Sequence, residues 1–374
     1  MQQSKLFKDL SKWAKKNQRL AICIPIAIVA VIAAAILFWP GPKPVNPIAA
    51  AATINDTCAG NGQINKYSCY KNELDNIVMK QGPEIASALV ERQYPTVPYV
   101  KAQCHQLMHV IGRQAIIKYN DDLGLAYAHG NQYCASGYYH GVSEEIVTQK
   151  GVNYMTANAN TVCGAFAAKA RYGLDHYNCV HGLGHGFMEA LNGDLFTSLK
   201  DCDLLTDSWE QNSCYSGVFM QNIMTAEGPD QAEDHTPVTL KADDLMYPCD
   251  SVADQYKNSC YLMQTSWALP QVGYDYGKVF GLCAAVDNQT FKDTCYQSLG
   301  RDASGLQVYD MAKTKSACML GANYDAQSNC VIGASKDIVY HYHSDQQAYE
   351  FCKSLDTSLQ GICNSTVKSY YSTF

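Results

Sequence analysis

Five histidines in three short strings stand at spacings that suit metal ligation. The strings are Cys104-His105-Gln106-Leu107-Met108-His109, Cys134-Ala135-Ser136-Gly137-Tyr138-Tyr139-His140-Gly141-Val142-Ser143-Glu144, and Cys179-Val180-His181-Gly182-Leu183-Gly184-His185-Gly186-Phe187-Met188-Glu189. On helices, four-residue separations put His105 with His109, His140 with Glu144, His181 with His185, and His185 with Glu189 on common faces, about 5–6 Å apart at Cβ. A divalent metal needs three or four N or O donors from more than one element, and imidazole with carboxylate suits zinc, iron or copper. His105, His109, His140, His181 and His185 are therefore the expected metal ligands. Glu144 and Glu189 are the expected catalytic carboxylates, serving as ligands, as partners of the imidazoles, or as a general base on bound water.

A single His/Glu pair at this spacing would be read as a helix-stabilising contact worth a few tenths of a kcal/mol. Two of the strings superimpose without a gap, with Gly, His, Gly and Glu three, six, seven and ten places after the cysteine. That duplication favours a metal or catalytic site over isolated contacts. Gly182, Gly184 and Gly186 each cost about 1 kcal/mol in a helix, which a chain tolerates where its backbone must approach something closely. Neither His-x-x-x-His string has Glu in second place, and no nucleophile elbow or phosphate loop occurs. His129, His176 and His235 stand in polar, loop-like stretches, and His341-Tyr342-His343 reads as a solvated face.

The elements that must position these residues are announced by cysteine. Cys58/Cys69, Cys202/Cys214, Cys249/Cys260, Cys283/Cys295, Cys318/Cys330 and Cys352/Cys363 all lie eleven or twelve positions apart. The first members of the last four pairs recur every 34 or 35 residues, a period of helix-turn-helix solenoids. A helical segment enters each first cysteine, and a second is expected to open at the next one, with Asn258 of Lys257-Asn258-Ser259-Cys260 suited to an N-cap. A disulfide across such a turn contributes about 3 kcal/mol if chain entropy dominates. Cys104, Cys134, Cys163 and Cys179 complete an even sixteen, but their spacings leave their pairing open.

Ser316-Ala317-Cys318 followed by Cys330-Val331-Ile332-Gly333, together with Cys295-Tyr296-Gln297-Ser298-Leu299-Gly300, resembles the cysteine-rich helical repeat proteins of the tetratricopeptide type. The likeness is architectural and covers roughly residues 200–374, with a longer intervening stretch than that family has. It implies an all-α solenoid of helical hairpins with a binding surface, and it implies no reaction.

Charge and hydropathy place the chain. Residues 1–40 carry net +5, leaving 22 cations against 34 anions beyond them, and that acidic bulk excludes a nucleic-acid partner. Leu20 to Trp39 is twenty residues without a charge, enough to cross a bilayer as one helix. The cations before it set residues 1–19 in the cytoplasm of a single-pass membrane protein and the bulk outside it. A cleaved signal peptide ending near Ala49–Ala52 is the alternative, although both segments are long for one. The expected order is a basic tail (1–19), a transmembrane helix (20–39), a Pro/Ala-rich linker without regular structure (40–57), His-rich helical repeats (58–200) and disulfide-bonded helical repeats (201–374). Two functions compete: metal-dependent redox or hydrolytic chemistry or metal binding at the His/Glu set, or a scaffold that takes a protein or peptide on the solenoid face.

Overall fold

In the computed structural model, the described residues are 47–52, 58, 63–131, 133–134, 136–227, 238–307, 309–342 and 344–372. Pro47–Phe374 forms one compact unit. Among the described residues there is no strand, and no helix is long and apolar enough to cross a membrane. The span expected at 20–39 lies outside the described residues, as do Cys23, His235 and His343.

The helices run α1 (Pro47–Ala51), α2 (Gln63–Gln81), α3 (Pro83–Gln93), α4 (Pro98–Ala102), α5 (Cys104–Lys118), α6 (Leu123–Ala128), α7 (Gly137–Lys150), α8 (Val152–Val162), α9 (Gly164–Lys169) and α10 (Leu174–Ala190). They continue as α11 (Leu195–Cys202), α12 (Ser208–Glu227), α13 (Asp254–Gln271), α14 (Tyr276–Ala284), α15 (Gln289–Leu306), α16 (Met311–Cys318), α17 (Tyr324–Tyr342), α18 (Gln346–Ser354) and α19 (Thr357–Tyr371). The long helices α2, α5, α7, α10, α12, α13, α15, α17 and α19 form a row, each packed on the next, while the shorter ones flank it. The row bends back on itself, since the Tyr340 hydroxyl of α17 donates to Ser136 Oγ immediately before α7.

All sixteen cysteines beyond the expected span pair in sequential order, including Cys104–Cys134 and Cys163–Cys179, with Cα atoms 5.4–5.8 Å apart. The first pair, Cys58–Cys69, has a buried Cys58 and a half-buried Cys69. Flanking helices α11 and α16 end on their first cysteine, as expected. The second helices differ from expectation. Cys69, Cys214, Cys260, Cys295, Cys330 and Cys363 do not open their helices; each stands six places after the first residue. Cys69 therefore lies well inside α2, and Asn258 lies inside α13 and caps nothing. Several actual caps sit earlier: Asp207 accepts from Trp209 N, Asn288 from Thr290 N and Asn323 from Ala326 N. In these repeats the polar stretch before the second cysteine is thus the first turn of a helix.

The expected linker is also shorter than the sequence suggests. Its end forms α1, where Ala51 is buried and its carbonyl accepts from Arg92 Nη1 at 2.5 Å.

Two glycines show how closely the row is packed. A Cβ on Gly141 of α7 would fall 2.2 Å from the His109 carbonyl oxygen of α5, and one on Gly217 of α12 would fall 2.0 Å from the His181 carbonyl oxygen of α10. Only glycine admits backbone this near, and both close approaches are made against the carbonyl of a candidate ligand.

Candidate metal centre

Helices α5, α7 and α10 are consecutive in the row, and each turns histidines toward the others. His109, His140, His181 and His185 are buried and His105 is half-buried. His181 to Gly186 lies within α10, so the four-residue geometry expected of that string holds.

Each outer ring is held through Nδ1. His105 Nδ1 donates to the Cys134 carbonyl at 2.8 Å and His109 Nδ1 to Glu144 Oε2 at 2.8 Å. His185 Nδ1 donates to Gln221 Oε1 at 2.7 Å. His181 Nδ1 lies 2.8 Å from Ser216 Oγ, whose own proton goes to the Ser213 carbonyl, and 3.2 Å from the Tyr177 hydroxyl. Carbonyl and carboxylate oxygens only accept, so Nδ1 carries the proton and each neutral ring keeps a lone pair on Nε2. Those lone pairs face each other, with His105 and His109 Nε2 atoms 3.0 Å apart and His181 and His185 Nε2 atoms 3.1 Å apart. Metal–nitrogen bonds of about 2.0–2.1 Å separate two ligand nitrogens of one ion by about 2.9–3.4 Å.

His140 stands between the two pairs. Its ring centroid is 5.3 Å from His105, 5.6 Å from His109, 4.6 Å from His181 and 5.1 Å from His185, and neither of its ring nitrogens has a hydrogen-bond partner. Ligand atoms of His105, His109 and His140, and separately of His140, His181 and His185, lie within 4.8 Å of one another. Two three-imidazole groups therefore share one ring.

Electrostatics keep these rings neutral. Burial pushes His105 down to about 3, with the neighbouring His109 adding to it, and pushes His185 down to about 4 against the bond from Gln221. Burial and then adjacent imidazoles hold His109, His140 and His181 well below the ordinary histidine range. Protonation cannot relieve the facing lone pairs at neutral pH, whereas a cation between them can.

The two carboxylates part company. Glu144 is buried, accepting from His109 and lying 3.4 Å from Arg113 Nη1, so it orients an imidazole and stands outside both ligand groups. Glu189 is exposed near the end of α10 and belongs to neither three-imidazole group. His176 is not in a loop: it is buried in α10 and bonded to Glu210 Oε1 at 3.0 Å. Ser216 and Gln221 were not singled out from the sequence. They lie 35 and 36 positions after the rings they hold, as Glu144 lies 35 after His109, an offset that acquires meaning only once consecutive long helices are known to stack.

A cavity of about 670 Å³ adjoins the centre, with His140 and His181 in its wall. Tyr177, Trp209, Tyr340 and Tyr370 give it an aromatic lining, and Arg301, Lys336 and Asp337 supply its charged groups. No family model, curated protein or solved structure matches this chain.

Proposed function

We propose that the chain is a membrane-anchored metalloprotein whose extracytoplasmic helical solenoid holds transition-metal ions among His105, His109, His140, His181 and His185 for redox or hydrolytic chemistry on a small molecule. The observation that carries this is the pair of facing Nε2 contacts, 3.0 and 3.1 Å, made by rings whose Nδ1 protons are already committed. Zinc, copper and iron all accept a neutral imidazole set. Deep burial of four rings favours a retained cofactor over delivered cargo, and the cavity at His140 and His181 gives a substrate access to the centre. Sequential disulfides support the tetratricopeptide-like reading and a location outside the cytoplasm, to which residues 20–39 supply the anchor.

The test is elemental analysis of the purified full chain. Stoichiometric metal is expected in the wild type, with loss in His140→Ala and His185→Ala. Gln221→Leu, which removes only the orienting acceptor, should weaken binding about 10–100-fold with the fold intact. Absence of metal in the wild type, after growth with zinc, copper and iron supplied, removes the proposal.

A further inference from the structure

Of the two cations that line the cavity, one has no ion-pair partner among the described residues. Arg301 is satisfied: Nε and Nη2 donate to Asp302 Oδ1 at 3.1 and 2.7 Å, and further bonds reach the Leu262 carbonyl and Ser266 Oγ at 2.7 and 2.6 Å. Asp337 accepts from Ser304 Oγ at 2.5 Å. Lys336 Nζ donates only to the neutral Gln297 Oε1, at 3.1 Å, and forms no ion pair among the described residues. An ammonium with three donors and one uncharged acceptor, facing an aromatic-lined space, lacks an anion.

We infer that the cavity binds an organic monoanion with an aromatic or apolar body, its carboxylate on the Lys336 ammonium and its body against Trp209, Tyr177 and Tyr370. A single charge is specified because Asp302 already neutralises Arg301, and a dianion would meet the Asp337 carboxyl beside Lys336. Burial pushes Asp337 up to about 7, so near neutrality it only partly offsets the lysine, and burial lowers Lys336, as expected of a cation without its partner. The volume of about 670 Å³ lies within the range of small-molecule sites. As the substrate class of the proposed metal centre, this anion rests on that reading for its reaction, but recognition of its charge depends on Lys336 and not on the metal.

The probes are 2-naphthoate and 2-naphthamide, equal in body and different in charge, titrated calorimetrically into the full chain with metal content measured on every sample. Naphthoate should bind at least about tenfold tighter, the worth of one charge-assisted hydrogen bond. Lys336→Met should abolish the preference and Lys336→Arg should keep it, with helical circular dichroism unchanged in both. A preference that survives Lys336→Met but disappears on chelation assigns the charge recognition to the metal, overturning this inference while leaving the centre intact. A Lys336-dependent preference in protein without metal supports the inference and counts against the centre. Failure of both probes to bind overturns it.

Discussion

His140 differs from its four neighbours in having no protein partner on either ring nitrogen, although it is 2% exposed. A buried imidazole left so is costly, and the proposed metal centre, in which both three-imidazole groups include His140, would account for the position. The clustering of the five histidines was legible in the sequence, because histidine is rare and its four-residue spacing puts pairs on one helix face. Their orienting groups were not, because Ser216 and Gln221 are ordinary residue types whose role exists only once neighbouring helices are in register. Glu189 shows the converse: it has the same spacing after cysteine as Glu144, yet Glu144 is buried and Glu189 is exposed. Asp337 gives a residue-scale prediction. Its carboxyl titrates near 7 in the folded chain, above its ordinary value near 4, so its stabilising contribution is complete below that lower value and is lost as pH rises through about 7. Asp337→Asn keeps the acceptor for Ser304 and removes the titration. Its melting temperature should therefore gain on the wild type between about pH 5 and about pH 8, and an unchanging difference would refute the assignment.

At the scale of elements, glycine sets how near the ligand-bearing helices lie. In an open helix, replacing glycine by alanine is favourable by about 1 kcal/mol. At Gly217 the added methyl would meet the His181 carbonyl, so Gly217→Ala should instead destabilise by about 1–3 kcal/mol and lower metal retention. Gly281 of α14 has open space around its Cβ position, and Gly281→Ala should be neutral or stabilising. Thermal melts of the two variants decide it: equal behaviour would mean that the tight crossing has no energetic weight. The cysteine spacing revealed that helices come in pairs, and the apolar periodicity revealed their type. Helix starts were misplaced because Asn and Asp next to cysteine resemble caps, whereas the capping groups are one to two turns earlier.

At the scale of the molecule, each disulfide joins segments close in the sequence, as where Cys283–Cys295 and Cys318–Cys330 tie a flanking helix to the long helix that follows it, so stability is distributed among short closed loops. Replacing Cys318 and Cys330 together by serine should cost about 3 kcal/mol, seen as a lower denaturant midpoint with helical content retained at low denaturant. An unchanged midpoint would show that packing alone holds α16 on α17. Closure of the row was not legible, because Tyr340 and Ser136 are separated by 204 positions and no periodic signal links them. The division of labour along the row also sets an order of assembly. A nascent chain that has emerged as far as Glu227 already contains all five imidazoles and the serine and glutamine that aim them, whereas Arg301, Lys336 and Tyr370 are still to be made. On the proposed reading, the residues of the metal centre are thus complete before those of the chamber, and a product truncated after α12 would carry the histidines without the groups proposed to seat a substrate.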